Sequence, residues 1–159
     1  METETTFKIE LEHINEGADF HTFRVAFSGA ESRILLPYPK VTGIRMLDSS
    51  DAQLAEWQTR LLVTKPLDDF VLAPQARIAF DLRGYVNCEP APDPDRLWVI
   101  ALPVGACRAR FRFHVSDKRD WYDFLAKRSR FAAITPPWNG TVESNTVEFV
   151  NRIPSAVFD

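Results

Sequence analysis

Cysteine and methionine are rare in this chain, two of each in 159 residues, and glycine is scarce at six. Two cysteines are too few for a disulfide framework or a thiolate metal centre. For Cys88 and Cys107 a single bridge and two free thiols both stay open. No apolar run approaches the roughly 20 residues of a membrane-spanning helix. Positive charge is not in excess either: the net charge is −3, so no global field draws the chain toward nucleic acid or an anionic membrane. Met1–Phe7 has neither the basic start nor the apolar stretch of a secretory signal. That places the protein in the cytoplasm unless a leader has been removed. A Gly-x-Ser-x-Gly elbow, a glycine-rich phosphate loop and a His-Glu-x-x-His helix are all missing. The expectation is a non-enzymatic chain with no cofactor, no metal and no catalytic residues.

What is present is a globular composition, 45% hydrophobic and 26% charged, with twelve phenylalanines and eleven prolines. The length suits one domain, residues 1–159, large enough to bury a core without staples. Abundant proline with little glycine fits strands with Pro-marked turns and edges better than a helical bundle.

The clearest pattern lies late in the chain. In Gly105–Val115, Cys107, Ala109, Phe111, Phe113 and Val115 share one parity, and Arg108, Arg110, Arg112 and His114 take the other. A period of two over that length is a half-buried strand. In Trp138–Val150, Val142 lies on one parity and Val147 and Phe149 on the other. A phase slip at Ser144-Asn145 is what one inserted residue, a β-bulge, produces. Upstream, Phe7, Ile9 and Leu11 alternate with Lys8, Glu10 and Glu12. Asn15–Asp19 turns, and Phe23, Val25 and Phe27 return as the second arm of a hairpin. Further strands are read at Arg33–Leu36, Val41–Leu47, Trp57–Val63, Asp69–Leu72, Ala76–Leu82 and Trp98–Leu102. The sum is an all-β antiparallel sandwich of about eight or nine strands. One short helical insertion, about 117–128, precedes the last strand, because Trp121, Phe124 and Leu125 fall at i, i+3, i+4.

In chain order the signals include Leu35-Leu-Pro37, Phe70-Val-Leu-Ala-Pro74, Leu102-Pro-Val-Gly105 running into Arg108–Phe113, and Trp138-Asn-Gly-Thr-Val-Glu-Ser-Asn145. This arrangement resembles the immunoglobulin-like sandwich domains of uncharacterised bacterial proteins. More distantly it is similar to the intracellular proteinase-inhibitor type of sandwich. The resemblance implies a fold and no active site. Where such domains often carry a tyrosine after the turn glycine, this chain has Ala106-Cys107, so a tyrosine-corner anchor is absent or moved.

Candidate binding residues fall in two groups. Between the last two strands, Lys118, Arg119, Arg128 and Arg130 surround Trp121 and Tyr122, with Trp138 at the exit. Trp, Tyr and Arg are the residues enriched at interface hot spots, which makes 116–138 the expected surface for another protein. Acidic neighbours Asp117, Asp120 and Asp123 argue against nucleic acid there. The second group is the row Arg108, Arg110, Arg112, a candidate stripe for an anion or acidic partner. Cross-strand pairing with Glu143 or Glu148 is the simpler reading of that row. Self-association through a sheet edge stays open.

Two alternatives use other features. Loop 88–95, held extended by three prolines, suits a protease inhibitor. Four tryptophans raise a carbohydrate platform, although Trp57 and Trp98 sit in strand alternations. His13 and His21 flank the first turn and can meet across the hairpin. A metal there needs a third ligand such as Glu12, Glu16 or Asp19, and solvated or hydrogen-bonded surface histidines are the simpler reading.

Overall fold

The computed structural model describes residues 7–59, 69–89, 98–115 and 138–154. These residues are all-β and form several sheets, with a 3-10 turn at Val41–Gly43 as the one helical piece among them. The expected helix at 117–128, the stretch 90–95 of the proline-rich loop, and Leu61 and Val63 lie outside the described residues. Eleven strands are present among the described residues: β1 (Lys8–Glu16), β2 (Phe20–Ser28), β3 (Ile34–Pro37), β4 (Ile44–Leu47), β5 (Gln53–Glu56), β6 (Gln58–Thr59), β7 (Asp69–Leu72), β8 (Arg77–Val86), β9 (Trp98–Ile100), β10 (Gly105–Val115) and β11 (Gly140–Asn151).

They assemble as a five-stranded sheet in the order β1-β2-β8-β9-β6, a four-stranded sheet β11-β10-β4-β5, and a two-stranded β3-β7 pair. Neighbours are antiparallel except β8 and β9, which run parallel. Alternation fixes which faces are buried. Ile9, Leu11, Phe23, Val25 and Phe27 from the first sheet and Met46, Ala109, Phe111, Phe113 and Phe149 from the second belong to one hydrophobic core. The aromatic edges interlock there: Phe27 meets Phe113 edge-on at 5.2 Å between ring centroids, and Phe23 meets Phe149 at 5.4 Å.

The alternation in Gly105–Val115 appears as read, with Ala109, Phe111, Phe113 and Val115 buried and the arginines half-buried on the other face. The slip in β11 is a bulge. Arg110 faces Thr146 but Arg112 faces Glu143, so Ser144 and Asn145 together oppose Phe111. The Phe111 N–H, which loses its ladder acceptor there, donates to Ser144 Oγ at 2.9 Å.

One expected strand divides. Residues 53–56 pair with β4 in the four-stranded sheet, and 58–59 pair with β9 in the five-stranded sheet. Trp57, 1% exposed, is the pivot between them. Its Nε1–H donates to the Tyr85 carbonyl at 2.9 Å, and its ring lies over Gly84, where an added Cβ would come within 2.6 Å of the indole. Trp57 therefore ties the two sheets along one flank.

Candidate functional site at the seam between the larger sheets

On the opposite flank, β1 and β11 face each other without backbone pairing, and side chains do the joining. Asn145, the residue displaced by the bulge, accepts from Leu11 N–H at 2.9 Å and donates from Nδ2 to the Leu11 carbonyl at 3.1 Å. Its amide thus stands in for a neighbouring strand at that point. Five residues further along β1, Arg152 donates to Glu16 Oε1 at 2.9 Å. Between these two ties lies a groove of about 580 Å³ bordered by Leu11, His13, Glu16, Val147, Phe149 and Arg152.

A second bulge builds the floor of this groove. His13 faces Phe23, yet Asn15 faces Thr22 and Glu16 faces His21, so Ile14 is the extra residue in β1. Before the bulge the odd-numbered residues of β1 point inward; after it Glu16 does, which is how a bulge re-aims a side chain. His13, Glu16 and His21 consequently converge. His13 Nε2 lies 2.9 Å from His21 Nδ1, and His21 Nδ1 lies 3.9 Å from Glu16 Oε2. His13 is stacked on Phe149, with ring centroids 4.9 Å apart and planes 14° from parallel. Glu16 Oε2 is buried and has no hydrogen-bond partner.

His21 is fully buried, where the sequence reading expected a surface histidine. Its buried position is tolerated because both ring nitrogens are engaged. Nε2 contacts Asn151 Oδ1 at 2.9 Å. The Asn151 amide is itself oriented, since Ile153 N–H donates to Oδ1 at 3.1 Å and Nδ2 donates to the Pro103 carbonyl at 3.0 Å. Asn87 extends the same polar knot, bonding Leu102 through both its N–H and its carbonyl. Burial holds the His13 pKa below the ordinary value, assisted by the adjacent His21 and opposed by Glu16. Cys107, on β10 near Asn151, has its thiol pKa raised by burial. Cys88 and Cys107 are free thiols.

The arginine row occupies the outer face of the four-stranded sheet, away from this groove. Arg108 reaches Asp51 Oδ1 at 2.6 Å and lies 3.8 Å from Glu148. Arg110 donates to Thr146 Oγ1 through Nε at 3.1 Å and Nη2 at 2.9 Å, with Glu143 3.8 Å away. The two glutamates named from the sequence as cross-strand partners are thus both at the row, and Asp51, from the turn after β4, joins them. Arg112 faces Glu143 across the ladder, and its Nε is buried without a hydrogen bond.

Trp138 stands apart from the arginines. Half-buried, it packs edge-on against Phe7 at 4.8 Å and stacks on Phe113 at 6.0 Å, and its N–H donates to the Leu35 carbonyl. It roofs the core where β11 begins. Lys118, Arg119, Trp121, Tyr122, Arg128 and Arg130 lie outside the described residues.

The sequence had no signal for Asn151, whose role emerges only from contacts with residues far along the chain. Asn145 was marked only as part of a phase slip. Among the described residues no group of three or more His, Cys, Asp or Glu side chains is arranged to hold a metal ion. No helix among them is long and apolar enough to cross a membrane. Comparison of the chain with family models, curated proteins and solved structures found no match.

Proposed function

We propose that this chain is an immunoglobulin-like β-sandwich that works as a protein-interaction module without chemistry of its own, contacting its partner through the 116–138 excursion. Two sheets sharing one core, tied by Trp57 on one flank and by Asn145 on the other, support the sandwich reading.

The observation that carries the functional reading is the length of the β10–β11 connection. The two strands stay paired as far as Val115 opposite Gly140, so everything between belongs to one connection. A hairpin needs only about two to five residues there. The added residues bring Trp121, Tyr122 and four bases to a single end of the domain, beside the Trp138 roof. That concentration of aromatic and guanidinium groups is the composition of a binding hot spot. The arginine row contributes less, because Asp51, Glu143 and Glu148 offset its charge. Quantitative affinity capture from cell extract tests the reading, with wild type beside a Trp121→Ala/Tyr122→Ala variant of unchanged melting temperature. A specific partner depleted at least tenfold by the variant is the expected result. Equal capture by both forms would remove the excursion as the contact surface.

A further inference from the structure

The tautomers of the buried histidine pair follow from its neighbours. Asn151 Oδ1 already accepts from Ile153 N–H, and its Nδ2 is committed to the Pro103 carbonyl. His21 Nε2 must therefore carry a proton to bond Oδ1. A neutral His21 then offers a lone pair at Nδ1, so the proton at the 2.9 Å contact belongs to His13 Nε2. One N–H run, from His13 to His21 to Asn151, links β1, β2 and the end of β11.

We propose that the His13–His21 pair is a proton-operated latch on the β1–β11 seam, closed when both rings are neutral and released when His13 takes up a proton. Closed, His13 lies flat on Phe149 and edge-on to Phe23, 5.2 Å away, supplying the one hydrogen that His21 Nδ1 can accept. An imidazolium is poorly served in that aromatic slot, since burial disfavours the charged form. The groove gives it an exit toward Glu12, Glu16 and Glu148. When His13 turns outward, the stack that holds it to β11 is lost and His21 Nδ1 is left without its donor.

The charges around the pair set the direction. On β1 they are Glu12 and Glu16, and from β11 and its end come Glu148 and Arg152. Cys107 on β10 remains a neutral thiol. Glu16 is already shared, its Oε1 bonded to Arg152 while the buried Oε2 faces the histidines unbonded. An outward His13 cation competes with Arg152 for this carboxylate, so loading the proton also strains the second tie of the seam. The lowered His13 pKa keeps the latch closed at neutral pH.

Amide hydrogen exchange read residue by residue between pH 7.5 and pH 5 tests this, with rates corrected for the intrinsic chemistry of exchange. In wild type, opening at His13–Glu16 and Val147–Asn151 should rise below the pair's midpoint toward about tenfold per pH unit, the slope of a one-proton linkage. His13→Gln presents an amide donor at the place of Nε2 but cannot titrate, so its seam should keep the same opening at both ends of the range. Flat corrected rates in wild type would overturn the proposal, as would an equal rise in His13→Gln. Ring-nitrogen NMR of wild type gives a check that needs no variant. It should show Nε2–H tautomers on both rings at pH 7.5 and His13 charging first on acidification. Rings that both stay neutral until global unfolding would also overturn it.

Discussion

Replacing Asn145 by alanine should destabilise the protein by about 1–3 kcal/mol, and the figure follows from what its amide does. Leu11 is 3% exposed and sits on the edge of the five-stranded sheet, so its N–H and carbonyl have no backbone partner on that side. Asn145 satisfies both, at 2.9 and 3.1 Å. Each such bond has a net worth of about 0.5–1.5 kcal/mol, and an orphaned buried group costs about 1–3 kcal/mol. Asn145 itself is exposed, so water reaches part of the vacated site and keeps the total in the lower half of what two orphans would cost. Asn145→Asp is the sharper probe. It keeps an acceptor for Leu11 N–H but sets a carboxylate oxygen against the Leu11 carbonyl, so it should cost as much as alanine despite its shape. Urea unfolding measures both, with an unchanged slope showing that the cooperative unit is intact. Amide exchange at Leu11 should accelerate in step. A loss below about 0.5 kcal/mol for alanine, on that same scale of net hydrogen-bond worth, would refute the view that this amide closes the seam.

Three further outcomes are expected. Phe111→Ala removes a ring that is 1% exposed and should cost about 3–5 kcal/mol in chemical denaturation; a loss under about 1 kcal/mol would mean that the buried face of β10 is wrongly assigned. Gly84→Ala puts a methyl within 2.6 Å of the Trp57 indole and should cost about 1–3 kcal/mol as overpacking does, with a shift in tryptophan fluorescence as Trp57 leaves its seat. His13 has a folded pKa below the ordinary 6.5, so the unfolded chain binds more protons just below that value. The contribution is fully present above pH 6.5 and lost as pH falls through the folded pKa, and His13→Gln should flatten this part of the stability profile.

The parts of the fold that were legible in the sequence are those governed by period and by turn chemistry. Phe111 and Phe113 fall inward because a strand alternates, and the slip at Ser144-Asn145 is visible because a bulge breaks that alternation. The division of 53–59 between two sheets was not legible. Trp57 and its neighbours keep a strand-like alternation on both sides of the switch, and only pairing with β4 and β9 separates them. The bulge at Ile14 was hidden as well, since a turn follows it too closely for a second alternation to establish itself. Its consequence, Glu16 turned toward His21, could not be anticipated from parity. His13 and His21 were recognised as able to meet across the hairpin. Their burial depends on Asn151 and Phe149, more than a hundred residues away in the chain, and no local pattern carries that. Trp138 was read as a contact residue because it leaves a long connection, whereas Phe7 and Phe113 hold it on the core.

The most direct test of the interaction-module reading uses a purified partner once capture has identified it. Its affinity is compared for the whole chain and for a chain in which 118–136 is replaced by a short Gly-Ser connection. Both should melt at nearly the same temperature, since β10 and β11 remain paired as far as Val115 opposite Gly140. The account predicts that the shortened chain binds at least tenfold more weakly. Full affinity in the shortened chain would contradict it and move the interface to the described sheets and their edges.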